Sequence, residues 1–201
     1  MTKKDLTTAN KIKETARRLF TEKGYGRITT RDIAKEADVN LALVNYYFRS
    51  KDELFHTIMF EVIQGFMGQM VVLMNDDHSF EEKLELVVSN YIDLLSEQPN
   101  LPIFMMSEIR NHPQEMAERL GIAKMIREAK FFKELAERCP EGVPPIQFFM
   151  NILSLTVFPF MGKPMIEAAT GMEQQQFNMT MQMRKKLIPQ WILGMLNPPK
   201  Q

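Results

Sequence analysis

An all-α chain of two domains is the fold class this sequence predicts, and three observations predict it. Residues 28–55 (ITTRDIAKEADVNLALVNYYFRSKDELF) read as helix, tight turn, short helix and the opening of a third helix. That arrangement lets one helix stand clear of the body. Beyond residue 56, apolar residues recur at steps of three and four, the period of a helix with one buried stripe, and methionine is abundant. Charge is divided between the same two parts. Residues 1–55 carry 12 Lys and Arg against 8 Asp and Glu, whereas the other 146 residues carry 13 against 17. The expected domains are a three-helix helix-turn-helix domain over 1–55 and a helical bundle over 56–201.

The first helix is expected from Thr8 to Lys23, with Ile12, Ala16, Leu19 and Phe20 inward and Gly24 as its terminating glycine. Thr29 and Thr30 are good helix starters, and Asp32 puts negative charge in the first turn of the next helix. Ile33, Ala34 and Ala37 form its apolar stripe. Asp38 stops it at a position that calls for positive φ, which Asp tolerates better than most residues other than Gly. Val39 plugs the turn, and Asn40 caps a helix from Leu41 to Phe48. Val44 and Phe48, four apart, share its buried side. Leu41, Ala42, Leu43, Asn45 and Tyr46 then face outward, where Leu41 and Ala42 suit thymine methyl groups and Asn45 an adenine edge. The hydroxyls of Tyr46 and Tyr47 can reach phosphates. Ser50 caps the following helix, which places Lys51 at its N-terminus, a sensible site for a cation only beside a bound anion.

From Lys11 to Phe55 the chain resembles the TetR family of bacterial transcriptional regulators. The resemblance rests on ARRLFTEKGYGRITT closing the first helix, RDIAKEADVN through the turn, and LALVNYYFRSKDELF after it. It implies that Tyr47 and Lys51 contact phosphates and that the face at Leu41, Ala42, Leu43, Asn45 and Tyr46 reads bases. The expected DNA-facing set is Thr30, Arg31, Asn40, Leu41, Ala42, Leu43, Asn45, Tyr46, Tyr47 and Lys51. The remainder of the chain carries no family signature beyond being helical, as in TetR regulators, whose second domains differ widely.

The helix opening near Lys51 is expected to continue to Asn75, about 24 residues or roughly 36 Å, and to link the two domains mechanically. Ser79 starts another helix, with Leu84, Val87, Val88, Tyr91, Ile92 and Leu95 inward. Pro99 and Pro102 precede a short helix over 103–111, which His112 and Pro113 break. One more polar helix is expected over 114–138 and a loop from Pro140 to Pro145. Two apolar helices close the chain, from about Ile146 to Phe160 and from Glu173 to about Leu196, the latter kinked at Pro189. Their apolar surface exceeds what one face needs. With the resemblance, this leads to an expected two-fold dimer through Ile152, Leu155, Ile188, Trp191, Ile192 and Met195.

Seventeen methionines and fourteen phenylalanines suit an adaptable apolar pocket for a small hydrophobic molecule. Its expected walls are Met67, Met70, Tyr91, Phe104, Met105, Met125, Phe149 and Phe158; Asn151, Glu108, Arg110 and His112 are further polar candidates. The three histidines lack metal-ligand spacing, and no P-loop, Rossmann glycine pattern or nucleophile elbow occurs, so neither cofactor nor enzymatic activity is expected. The lone Cys139 fits a reducing compartment. The polar N-terminus and the lack of an apolar run near 18 residues lead to an expectation of a cytoplasmic protein without membrane contact. The residues and the resemblance together suggest a ligand-responsive regulator, expected to be a repressor, that binds palindromic DNA as a homodimer and is released by a small apolar effector. A ligand-independent DNA-binding regulator and a carrier of hydrophobic molecules are the alternatives.

Overall fold

The computed structural model describes residues 3–197, with side chains from Thr7 onward. The described residues are helices and connections, with no strand among them. The helices are α1 (Lys3–Lys23), α2 (Thr30–Glu36), α3 (Leu41–Phe48), α4 (Lys51–Asn75), α5 (Phe80–Glu97) and α6 (Leu101–Asn111). They continue as α7 (Pro113–Arg119), α8 (Ile122–Glu128), α9 (Lys130–Arg138), α10 (Pro145–Met161), α11 (Lys163–Thr170) and α12 (Gln174–Leu196). The chain divides into two units, Met1–Gly65 and Phe66–Gln201, and the change of unit falls within α4.

In the first unit α1, α2 and α3 pack on one another. Ile12, Ala16, Leu19 and Phe20 of α1 are buried, as are Ile33, Ala34, Ala37, Val44, Phe48, Leu54 and Ile58. The buried positions of α1, α2 and α3 and Ala37 belong to the stripes expected from their period. Ion pairs fasten the edges: Arg18 reaches Glu36 at 2.6 Å, and Lys13 and Arg17 both contact Glu61 of α4. The helix begins at Lys3, five residues before the expected Thr8.

By length and composition α4 could cross a bilayer, which corrects the expectation that no apolar run approaches that size. Its run of Ile, Met, Phe, Val and Leu is interrupted only by uncharged Gln and Gly and by Glu61, and Glu61 is held by the two cations of α1.

The second unit is organised around α5, which packs against α12, α10 and α9, while α10 also meets α12, α6, α9 and α11. Ser79 caps α5 by accepting from the Glu82 amide at 3.2 Å, and Glu82 returns the bond to the Ser79 amide at 2.9 Å. Phe80 stacks on Phe131 with centroids 5.2 Å apart. Lys83 is fully buried, its Nζ 2.6 Å from Glu134 Oε2. The two charges are close, yet neither atom has an aligned hydrogen-bond partner.

Three expectations for this unit are corrected. Residues 114–138 do not form one helix. Gly121, in the left-handed region at φ 63°, separates α7 from α8, and Ala129, in extended backbone, separates α8 from α9. Pro145 does not close a loop; it opens α10, where its missing N–H costs nothing. Between the two closing helices lies the unforeseen α11, bounded by Gly162 and by Gly171 at φ 69°.

Prolines lie inside both closing helices. α12 runs uninterrupted through Pro189. In α10, Pro159 cannot donate to the Leu155 carbonyl four residues back. The Arg184 guanidinium of α12 donates to that carbonyl instead, at 2.7 Å, and lies 5.2 Å from the centre of the Trp191 ring. Burial lowers the pKa of Arg184, whose charge is only partly solvated here.

Candidate nucleic-acid interface

Local hydrogen bonds hold the helix-turn-helix. Thr29 Oγ1 accepts from the Asp32 amide at 3.2 Å, and Asp32 Oδ2 accepts from the Thr29 amide at 2.9 Å. The Thr29 bonds favour the ionised carboxylate and hold Asp32 below its usual pKa. α2 ends at Ala37, and Asp38 takes φ 49°, the left-handed conformation its place in the turn demands. The chain then folds back, with the Val39 amide donating to the Ala34 carbonyl at 3.0 Å. Val39 is half-buried, so it plugs the turn only in part. Asn40 caps α3, its Oδ1 accepting from the Ala42 amide at 2.9 Å. That bond uses one lone pair of the oxygen and leaves the side-chain NH2 of Asn40 to donate to a ligand.

α3 has two distinct sides. Val44 and Phe48 are buried. Leu41 and Tyr47 are half-buried at its margins, while Ala42, Leu43, Asn45 and Tyr46 are exposed. Tyr46 is 76% exposed, an unusual position for an aromatic ring, and its edge meets Tyr47 at 5.1 Å. Of the other expected contacts, Arg31 is exposed and Thr30 half-buried at the start of α2.

Lys51 is placed differently from the free cation its position in the sequence suggests. Ser50 caps α4 by accepting from the Glu53 amide at 3.0 Å. The Lys51 ammonium donates to the Tyr25 carbonyl at 3.2 Å and lies 4.0 Å from the centre of the Tyr25 ring. Tyr25 sits in a short 3-10 turn, Tyr25–Arg27, after Gly24, and its hydroxyl donates to Asp52 Oδ1. Sequence reasoning missed Tyr25. It also missed Arg49, exposed at the end of α3 with φ 32°, a strained conformation for a side chain of that size.

The remaining candidates belong to the second unit. Among the expected pocket walls, Met70, Phe104 and Met125 are buried, and Met67, Met105 and Phe149 are half-buried. Tyr91 lies edge-on to Phe66 at 4.7 Å. Burial pushes its phenol up to about 12, yet part of the residue stays accessible. Phe158 is 56% exposed and is not enclosed by its own unit. Of the polar candidates, Glu108 is buried, Asn151 half-buried, and Arg110 and His112 exposed.

The expected dimer set needs correction. Ile152, Ile188 and Ile192 are buried within the chain, so they have no area left for a second copy. Leu155 is half-buried, and Trp191 and Met195 remain exposed. Met150 and Phe158 of α10 and Met179 and Met183 of α12 are exposed beside them in sequence.

With this geometry in place, residues 12–58 match the family model described as bacterial regulatory proteins, tetR family. The chain is 26% identical over 182 residues to the Probable HTH-type transcriptional regulator YttP of Bacillus subtilis (strain 168), covering 85% of this chain and 86% of that one. It is 27% identical over 114 residues to IcaR of Staphylococcus epidermidis, the biofilm operon icaADBC HTH-type negative transcriptional regulator. That match covers 53% of this chain and 62% of IcaR. The fold is similar to a crystal structure of the transcriptional regulator FadR from Bacillus subtilis in complex with stearoyl-CoA. The TM-score is 0.57 at 20% identity, over 89% of this chain and 96% of that one.

Proposed function

Because this chain belongs to the TetR family of bacterial transcriptional regulators, we propose that it is a ligand-responsive repressor rather than an enzyme. In this reading a cytoplasmic homodimer binds palindromic operator DNA through two copies of α3. A small apolar effector in the second unit then releases it. The observation that carries the reading is the outward side of α3. Ala42, Leu43, Asn45 and Tyr46 stand exposed on a helix whose two ends are fixed by Asn40 and the Ser50 turn. An apolar and aromatic surface of this kind is poorly solvated alone, and it matches the methyl groups and base edges of a major groove.

The DNA contacts divide by chemistry. Leu41, Ala42, Leu43, Asn45 and Tyr46 face bases, while Thr30, Arg31, Asn40, Tyr47 and Lys51 set register on phosphates. Two copies must meet to span two half-sites. The exposed Met150, Met179, Met183, Trp191 and Met195, with Leu155, supply the apolar area on α10 and α12. Repression is the sign of regulation borne by IcaR's name. An acyl thioester is the first effector class to try, since the FadR structure holds stearoyl-CoA. Tyr91, which packs edge-on to Phe66, and the methionines of the second unit supply adaptable apolar side chains suited to such a chain. Effector and operator must then oppose one another reciprocally.

Gel shifts with DNA from upstream of the gene test this directly. A sequence-specific shift that a long-chain acyl-CoA abolishes supports the reading. Specific DNA binding that no apolar molecule alters leaves a ligand-independent regulator. Binding of apolar molecules without any specific shift identifies a hydrophobic carrier.

A further inference from the structure

The geometry points to Tyr25 as a positioning residue for DNA binding, one that holds the Lys51 ammonium ready for a phosphate. The inference rests on the reading of Lys51 as a phosphate contact. Lysine has a long stem with great rotamer freedom, most of it lost when its ammonium is pinned to one site. Here the ammonium is pinned in advance. It donates to the Tyr25 carbonyl at 3.2 Å and lies 4.0 Å from the centroid of the Tyr25 ring. An ammonium has three donors, so this hold leaves N–H groups for a phosphate oxygen.

The clamp is itself rigid. The Tyr25 ring lies 4.5 Å from the Phe55 ring and 5.5 Å from the Phe20 ring, fixed against α1 and α4. Its carbonyl also accepts from the Ile28 amide at 3.4 Å, which fixes the turn. The Tyr25 hydroxyl donates to Asp52, the neighbour of Lys51. One residue therefore holds the cation by its ring face and carbonyl while its hydroxyl holds the adjacent carboxylate. An unheld Asp52 beside Lys51 would compete with DNA for the ammonium. Ser50 completes the site by starting α4 so that the positive end of the helix dipole lies at Lys51.

The test is a double-mutant cycle in operator affinity, with thermal melts run in parallel. Lys51→Ala lowers affinity and reduces the salt slope by about one. Tyr25→Leu removes the ring face but not the carbonyl, and lowers affinity about two- to fivefold. In the Lys51→Ala background the same Tyr25 change costs nothing further. Tyr25→Phe keeps the ring but frees Asp52, so its loss of affinity is present and smaller than that of Tyr25→Leu. A ring-current shift of the Lys51 ε-methylene is present in the parent and in Tyr25→Phe, and absent in Tyr25→Leu. If Tyr25→Leu melts below the assay temperature, Tyr25→Met fills the same space without a ring face. Equal losses from the Tyr25 change with and without Lys51 overturn the inference and leave the phosphate role of Lys51 intact. A gain in affinity overturns it too, because Tyr25 would then be restraining Lys51. An unchanged affinity and slope in Lys51→Ala overturns the reading of Lys51 beneath it.

Discussion

The unit that ends at Gly65 and the unit that begins at Phe66 solve the problem of making helices in different ways. In the first, local side chains fix the starts of successive elements: Thr29 for α2, Asn40 for α3 and Ser50 for α4. In the second, α5 has its Ser79 cap and α12 a reciprocal pair between Glu173 and Gln176, but α6 to α11 have no side-chain cap. Those helices exist because their apolar faces pack. The leftover apolar surface follows the same division. Unit one exposes it on α3, at Leu43 and Tyr46, whereas unit two exposes Ile103, Phe158, Met165, Met179 and Met183 on several helices. Locally capped helices hold one geometry, as a reader of fixed base-pair spacing requires. Helices held by soft, methionine-rich packing can be rearranged by a ligand at small cost.

The largest effect should come from breaking the second unit where packing encloses charge. Glu134→Ala leaves the fully buried Lys83 without its partner and should cost about 3–5 kcal/mol in thermal or denaturant unfolding. Replacing both, Lys83→Met with Glu134→Leu, should restore stability to near the parent or above it. If the single change costs under 1 kcal/mol, the pair is not desolvated and the packing-first description of this unit fails.

The next effect belongs to α3, the proposed reading helix, and concerns specificity. Asn45→Ala should shift preference at one base position in each half-site by about 1–3 kcal/mol, with stability unchanged. A uniform loss over all sequences would make Asn45 a backbone contact. Smaller again is the cap. Thr29→Ala should destabilise the chain by about 1 kcal/mol, read by thermal melting, and weaken DNA binding with it. No loss would show that packing, as in the second unit, starts α2.

The smallest effect is one of pH. The pKa of Asp32 is lowered in the folded chain by its Thr29 bonds. Its contribution is therefore full above the ordinary value of 3.8 and lost as pH falls through the lowered one. Asp32→Asn should be less stable than the parent at neutral pH and converge with it in acid. Parallel stability curves down to pH 2 would deny the cap its electrostatic part.

How much could be read from residues alone follows the same division. α3 and α4 begin and end where caps and breakers predict, because Asn40, Ser50 and the Asp38 turn act within a few residues. The break at Ala129 carries no local signal, and α11 is too short and mixed to show a period. Ile152, Ile188 and Ile192 were expected at a dimer face but serve the core. On helices apolar around most of their girth, spacing does not say which stripe meets the chain's own α5. The outward side of α3 was legible. The hold of Tyr25 on Lys51 was not, since it joins residues 26 apart through tertiary packing.

The proposed regulator reads symmetric DNA with a pair of α3 helices. Selection of binding sites from random-sequence duplexes tests it without knowledge of any target gene. Two paired α3 helices should enrich an inverted repeat whose half-site centres lie on one face of the duplex, with one position per half-site relaxed in Asn45→Ala. Enrichment of no sequence, or of an asymmetric single site unaffected by changes on α3, would contradict it.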